Sequence, residues 1–310
     1  MKHYKNMLVG VDFSDSSGIA LKQALPLAKR ANGKITAVYA AAPDEVGEYE
    51  QWYQIKPSIA QENLCDGLKG FVAHYVGTSE LVECKVIIGE PYDAIARYVE
   101  DNDMDLMVIG SRGNDALARH TGHFATKCVR HSPIPVLLIR RQAKRHFRRV
   151  TACVDFSSAS EDVIQTAARI ALDEEAELHV IHAVTPPWLR PSHVMYTLEP
   201  SESKDFQKDY MDLLRDKLEV VVADALDDID LKPTLQVLEH VTPDIAITHC
   251  LADQQSDLVV VGRLGHIRNI ISQCFIGTTA ERLIRHSPCS VLTVPCNLES
   301  CHDHTLTKES

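Results

Sequence analysis

The chain carries one pattern twice. Near its middle it reads MDLMVIGSRG (Met104–Gly113), followed by GHFATKCVRHSPIPVLLIR (Gly122–Arg140). Near its end it reads SDLVVVGRLG (Ser256–Gly265), followed by GTTAERLIRHSPCSVLTVP (Gly277–Pro295). The offset is roughly 155 residues, so the chain reads as two copies of one domain, each long enough to bury its own core. The sequence places a first domain at 1–142, a second at 148–296 and a polar tail at 297–310.

Each half alternates short apolar runs with helical patterns. NMLVGVDF is a run of the kind found in strands buried on both faces, and it ends in Asp12; Val150 to Asp155 repeats it. Strands are expected over Ile35–Ala41, Leu81–Ile88, Leu106–Gly110 and Ile134–Ile139, and over Leu178–Ala183, Thr234–Glu239, Leu258–Gly262 and Ser290–Val294. Helical spacing runs through Ile19–Ala31, Ile59–Tyr75, Pro91–Asp101 and Gly122–His131 in the first half. In the second it runs through Ser160–Leu172, Asp205–Asp227, Pro243–Ala252 and Gly277–His286. Ala42–Ser58 and Thr185–Ser201 read as long loops.

Strands that alternate with helices through short connections mean an α/β protein with a parallel sheet covered on both faces. The expected fold is two tandem doubly wound, flavodoxin-like domains, each with five parallel strands in the order 3-2-1-4-5. That order sets Asp12 beside Gly110 and Asp155 beside Gly262, at the crevice where ligands of such sheets bind.

Composition limits the functions available. A formal net charge of −11 argues against general nucleic-acid binding, which needs a basic face. No apolar run approaches the roughly 18 residues of a membrane span. MKHYKNMLVGVD lacks the apolar core of a signal peptide. Nine scattered cysteines without a CxxC pair fit reduced thiols in a cytoplasm. No Gly-x4-Gly-Lys-Ser/Thr loop and no nucleophile–base arrangement is evident, so the chain does not read as an enzyme.

With these pieces in hand, the chain resembles a tandem universal stress protein. The resemblance rests on VGVDFSD and ACVDFSS, IGEP (Ile88–Pro91), VIGSRG and VVGRLG, and GTTAERLIRHSPCSVLTV, in order from Met7 to Val294. It implies a stress-response protein that binds ATP or a related adenine nucleotide, with Mg or Mn beside it, through Gly-x2-Gly-x9-Gly-Ser/Thr. Carried over, the second half offers Asp155, Ala183, Gly262, Gly265, Gly277 and Thr278; the first offers Asp12, Ala40, Gly110, Gly113 and Gly122. The aspartate would lie near the nucleoside, the alanine backbone near adenine, and the glycines and threonine around the phosphates. It also implies an internal pseudo-dimer of the two domains through their last strands, and a homodimer beyond it.

Both halves depart from that pattern. Eleven residues separate Gly265 from Gly277, and eight separate Gly113 from Gly122, where His123 replaces the hydroxyl. These departures favour the alternative, an interaction scaffold without nucleotide, and any hydrolysis would be slow because no positioned base or cationic clamp is evident. The residues also have plain structural readings. The glycines serve either close approach of phosphate or a tight turn. Thr278 and Glu281 match a capping box. Asp12 and Asp155 meet either a ribose hydroxyl or a turn at Ser14 and Ser157. His131 and His286 suit helix C-termini. The basic run Arg140–Arg149 reads as a solvated linker or a dock for an acidic partner. Cys274 and the tail group Cys296, Cys301, His302 and His304 read as inert thiols and adventitious ligands.

Overall fold

Apolar runs too short for helices become the strands, and the repeat builds the same five-stranded sheet twice. The structure, a computed structural model, describes residues 4–111, 122–140, 146–189, 200–263 and 278–295. It divides into two units, Met1–His146 and Phe147–Ser310. In the first unit the order is β1 (Asn6–Gly10), α1 (Asp15–Ala31), β2 (Lys34–Ala41), α2 (Pro43–Tyr53), α3 (Pro57–Val76), β3 (Val82–Ile88), α4 (Pro91–Asp101), β4 (Leu106–Gly110), α5 (His123–His131) and β5 (Val136–Ile139). In the second it is β6 (Arg149–Val154), α6 (Ala159–Glu174), β7 (Glu177–Val184), a 3-10 turn at Pro187–Leu189, α7 (Pro200–Ala225), β8 (Thr234–Glu239), α8 (Pro243–Asp253), β9 (Leu258–Gly262), α9 (Thr278–His286) and β10 (Ser290–Val294).

All pairings inside each unit are parallel. The first sheet runs β3-β2-β1-β4-β5 and the second β8-β7-β6-β9-β10, the order expected from the sequence. Central strands are buried throughout: Met7, Leu8 and Val9 in β1, and Val259 and Val260 in β9, are fully covered. Helices bury only one stripe, such as Ala20, Leu21, Ala24, Leu27 and Ala28 of α1. Among the described residues no helix is long and apolar enough to cross a membrane.

One reading is corrected. Ala42–Ser58 is not a loop, because α2 occupies Pro43–Tyr53. Proline at its first position and Asp44 and Glu45 in its first turn favour a helix start, since proline lacks a donor that would go unused there and acids complement the dipole. In the second half a 3-10 turn occupies Pro187–Leu189 and α7 begins at Pro200, while residues 190–199 lie outside the described residues.

A matched pair of aspartates pins the first strand of each unit. Asp105 Oδ2 accepts from the backbone N–H groups of Lys5 and Asn6, both at 2.8 Å. Asp257 Oδ2 accepts from Arg148 and Arg149, at 2.8 and 3.1 Å. Each carboxylate sits just before the fourth strand of its unit and ties it to the first across about a hundred residues of chain. Hydrogen bonds to charged groups contribute about 1.5–3 kcal/mol each. Asp257→Ala is expected to lower unfolding free energy by about 2 kcal/mol, discounted for exposure. A urea midpoint unchanged from the parent would contradict this.

The described cysteines form no disulfide. Cys128 lies on the buried face of α5, and burial pushes its thiol from 9.0 up to about 12. The folded state therefore holds this proton where the unfolded chain releases it. Its contribution to stability is complete below the unfolded value near 9 and declines as pH rises toward 12. Urea melts should weaken between pH 9 and 11, and a thiol reagent at pH 8 should label Cys128 only after unfolding. Rapid labelling of native Cys128 at pH 8 would contradict that burial.

Candidate functional site

Register alone decides which residues share the carboxyl rim of each sheet. In the first unit Gly10 pairs with Val38 and Val9 with Val108. Continuing these registers by two residues sets Asp12 level with Ala40 and Gly110 level with Val11. In the second unit Val154 pairs with His182 and Cys153 with Val261. Asp155 is then level with Ala183, and Gly262 with Val154. Both repeats thus bring aspartate, alanine and glycine to one rim, where the strand order reverses, the place at which such sheets bind ligands. Gly122 joins the first rim, its N–H donating to the Ser111 carbonyl at 3.1 Å.

Just past each first strand the chain makes the same sharp turn. Asp12 Oδ1 accepts from the Ser14 N–H at 3.0 Å and from the Ser14 hydroxyl. Asp155 Oδ1 accepts from the Ser157 N–H at 3.0 Å. The intervening Phe13 and Phe156 are held at φ 58° and 60°. A bulky side chain in that left-handed region is strained, and here the same strain occurs at equivalent positions of both repeats.

The turn aims each phenylalanine at different company. Phe13 meets Tyr39 edge-on at 4.8 Å and Phe71 at 5.5 Å. The Tyr39 hydroxyl donates to the Glu45 carboxylate, 2.8 and 2.7 Å from its two oxygens. Burial first, and then the Glu45 carboxylate, push the Tyr39 phenol well above its ordinary value. The first rim is therefore aromatic and acidic, and α2, which brings Glu45, helps close it.

In the second unit Phe156 stacks on His182 at 4.0 Å, and the Lys217 ammonium lies 4.5 Å from its ring centroid. His182 is buried, and its Nδ1 is 2.9 Å from the Val154 carbonyl, so this nitrogen carries the proton and donates. Directly after Gly262 comes Arg263, half-buried, its N–H donating to the Val294 carbonyl at 2.9 Å. The equivalent residue of the first unit is Ser111. At these two positions the second unit carries cations where the first, with Ser111 and Gly67, does not. Sequence reasoning missed both. Arg263 lay hidden between two glycines, and Lys217 reaches the rim from another helix.

The glycines of the first rim have distinct causes. A Cβ on Gly110 would lie 2.5 Å from Ser16 Oγ and 2.7 and 2.8 Å from the Ser16 carbonyl carbon and oxygen. Gly110 is therefore required by the close approach of β4 to the first turn of α1. Gly122 sits at φ −61°, a value open to any residue, and its carbonyl accepts from the Thr126 hydroxyl at 3.1 Å. A tight turn of positive φ does not explain it. Gly113, Gly265 and Gly277 lie outside the described residues, as do Cys274, Cys296, Cys301, His302, His304 and the side chains of His123 and Thr278. Glu281 Oε1 accepts from Arg285 at 3.0 Å. His131 and His286 both close the last turn of their helices. Among the described residues no three His, Cys, Asp or Glu side chains gather as a metal would require.

Comparison with known proteins agrees with this architecture. The model of the universal stress protein family matches residues 3–140 and again residues 146–295. Universal stress protein E of Escherichia coli K12 is 23% identical over 318 positions, covering 95% of this chain and 95% of its own. A universal stress protein structure from Archaeoglobus fulgidus matches with a TM-score of 0.64 at 19% identity, covering 93% of this chain and 97% of the other. A protein of Pseudomonas aeruginosa described as functionally unknown matches with a TM-score of 0.67 at 18% identity, covering 97% and 96%. At such identities the two structures speak for the fold.

Proposed function

Because this chain belongs to the universal stress protein family, with the family's domain present twice, we propose that it is a cytoplasmic stress-response protein. In this reading it binds ATP or a related adenine nucleotide as a regulatory ligand, in its second domain. The observation that carries the proposal is Arg263, a cation placed beside Gly262 and level with the turn that Asp155 begins.

The residues have complementary roles in this reading. The N-terminus of α9 and the Gly265–Gly277 segment supply backbone N–H groups for the phosphates, with Thr278 at the helix start. Arg263 adds a charge-assisted contact, stronger than a neutral one. Asp155 spends one oxygen on Ser157 and offers the other to a ribose hydroxyl. The Ala183 backbone faces adenine. A divalent ion such as Mg or Mn would be held chiefly by the phosphates, since no three metal-ligating side chains gather among the described residues. In this reading bound nucleotide acts by shifting conformation or partner choice, and hydrolysis is slow, since the described rim residues include no positioned general base.

The first domain supports a different reading. Its rim presents Asp12 and Glu45 beside Tyr39, and its Gly122 N–H is already spent on Ser111. A polyanion gains little there, so Asp12, Ala40, Gly110, Gly113 and Gly122 are assigned to a scaffold role. Equilibrium dialysis of the whole chain should find ATP bound with a dissociation constant at or below about 1 mM. No retention at that concentration would remove the proposal. A homodimer belongs to the same reading, and sedimentation at the monomer mass would remove it.

A further inference from the structure

Helix α7 is more apolar than its fold position requires. Its core row is Leu218, Val222 and Ala225, all buried. These match Leu68, Val72 and Tyr75 of α3, the equivalent helix of the first unit. But α7 carries a second row, Phe206, Tyr210, Leu213, Lys217 and Val220, with alternating spacings of four and three. That spacing makes a straight seam along one helix side. Three of its members stand in solvent: Phe206 is 41% exposed, Leu213 64% and Val220 59%. Lys217 turns its ammonium toward the Phe156 ring, leaving its carbon stem along the row.

The fold does not demand this row. At the same positions of α3 stand Lys56, Ala60, Asn63, Gly67 and Gly70, polar or small residues. The same scaffold therefore stands without an apolar seam there. The seam is also bordered. Asp205, Asp209, Asp212 and Asp216 form a parallel row on its outer side, with the same four-three-four spacing. Asp212 pairs with Arg215 at 2.6 Å, whereas Asp209 and Asp216 make no ion pair among the described residues. Trp188 of the 3-10 turn packs against one end of the seam, 5.4 Å from Tyr210 and 6.3 Å from Phe206.

We infer that the Phe206–Val220 seam docks an amphipathic helix of a partner protein, with a basic row along that helix's edge. The apolar seam takes the partner's apolar stripe, and Asp209 and Asp216 take its lysines or arginines. A second copy of α7 fits less well. A two-fold pair of antiparallel seams would lay each acidic row against its own image, and like charges oppose such contact. This surface lies on α7, and Lys217 is the residue that it shares with the rim.

The test uses the whole chain with Trp52→Phe, leaving Trp188 beside the seam as the single tryptophan, excited selectively over tyrosine. The probes are two synthetic amphipathic helices of about 20 residues with identical leucine seams, one edged with lysine and one with glutamate. The lysine-edged peptide should bind with a dissociation constant of about 10–50 µM and shift Trp188 emission, and the glutamate-edged one about tenfold more weakly. Leu213→Asp, at an exposed site, should abolish binding while circular dichroism stays unchanged. Asp209→Lys with Asp216→Lys should reverse the preference between peptides. Equal binding of both peptides, or binding that survives Leu213→Asp, would overturn the inference. So would self-association of the chain that Leu213→Asp abolishes, since a second copy would then cover the seam.

Discussion

Gly110→Val destabilises the first repeat and leaves the second at parental protection. The added side chain meets the backbone of Ser16, 2.7 and 2.8 Å from its carbonyl atoms, in addition to its Oγ at 2.5 Å. A flexible side chain swings away from such a contact, but a backbone carbonyl in the first turn of α1 moves only with its helix. Alpha-1 is tied to this place by the Ser14 cap and by its fully buried stripe. Overpacking a close-packed site costs about 1–3 kcal/mol, and backbone contact puts this case at or beyond the upper end. That is a large share of a domain's usual margin. Hydrogen exchange should show β3 and β4 losing protection while β6 and β9 keep theirs. The loss needs no nucleotide, which separates a glycine kept for packing from one kept for a ligand. A variant with parental protection in the first unit would contradict the close approach.

If the proposed nucleotide reading holds, Arg263→Ser and Gly277→Val are each expected to remove most ATP binding while the chain keeps its fold. In that reading Arg263 would supply a charge-assisted contact worth about 1.5–3 kcal/mol, or roughly 10- to 150-fold in affinity. Its replacement is the residue the first unit already tolerates, Ser111. Gly277 precedes the first residue of α9, where a valine would hold phosphate away from the helix N-terminus. The reverse change, Ser111→Arg, should not create a site, because Glu45 and Asp12 remain beside Tyr39. Calorimetry on the three variants checks all of this. Affinity within about twofold of the parent for Arg263→Ser would contradict the role given to the cation.

The layout of the fold was legible because two local signals agree over the whole chain. Apolar runs such as LMVIG and LVVVG mark buried strands, and the repeat cross-checks each assignment. From the strand order, the meeting of Asp12 with Gly110 and of Asp155 with Gly262 followed without coordinates. Alpha-2 was missed because its acids and prolines looked like loop composition, although Pro43 followed by Asp44 and Glu45 is also how a helix begins. The Asp105 and Asp257 ties were invisible because each joins groups far apart in sequence. So was the contrast between the two rims. It depends on Glu45, Lys217 and Arg263, which arrive from elements that local pattern does not connect.

The most direct test of the nucleotide reading is photolabelling of the whole chain with an azido-adenine analogue of ATP, followed by peptide mapping. Label is predicted in peptides around Ala183 and Gly262, competed away by excess ATP and lost in Arg263→Ser. Label confined to the first unit, or label that unmodified ATP does not displace, would contradict the account.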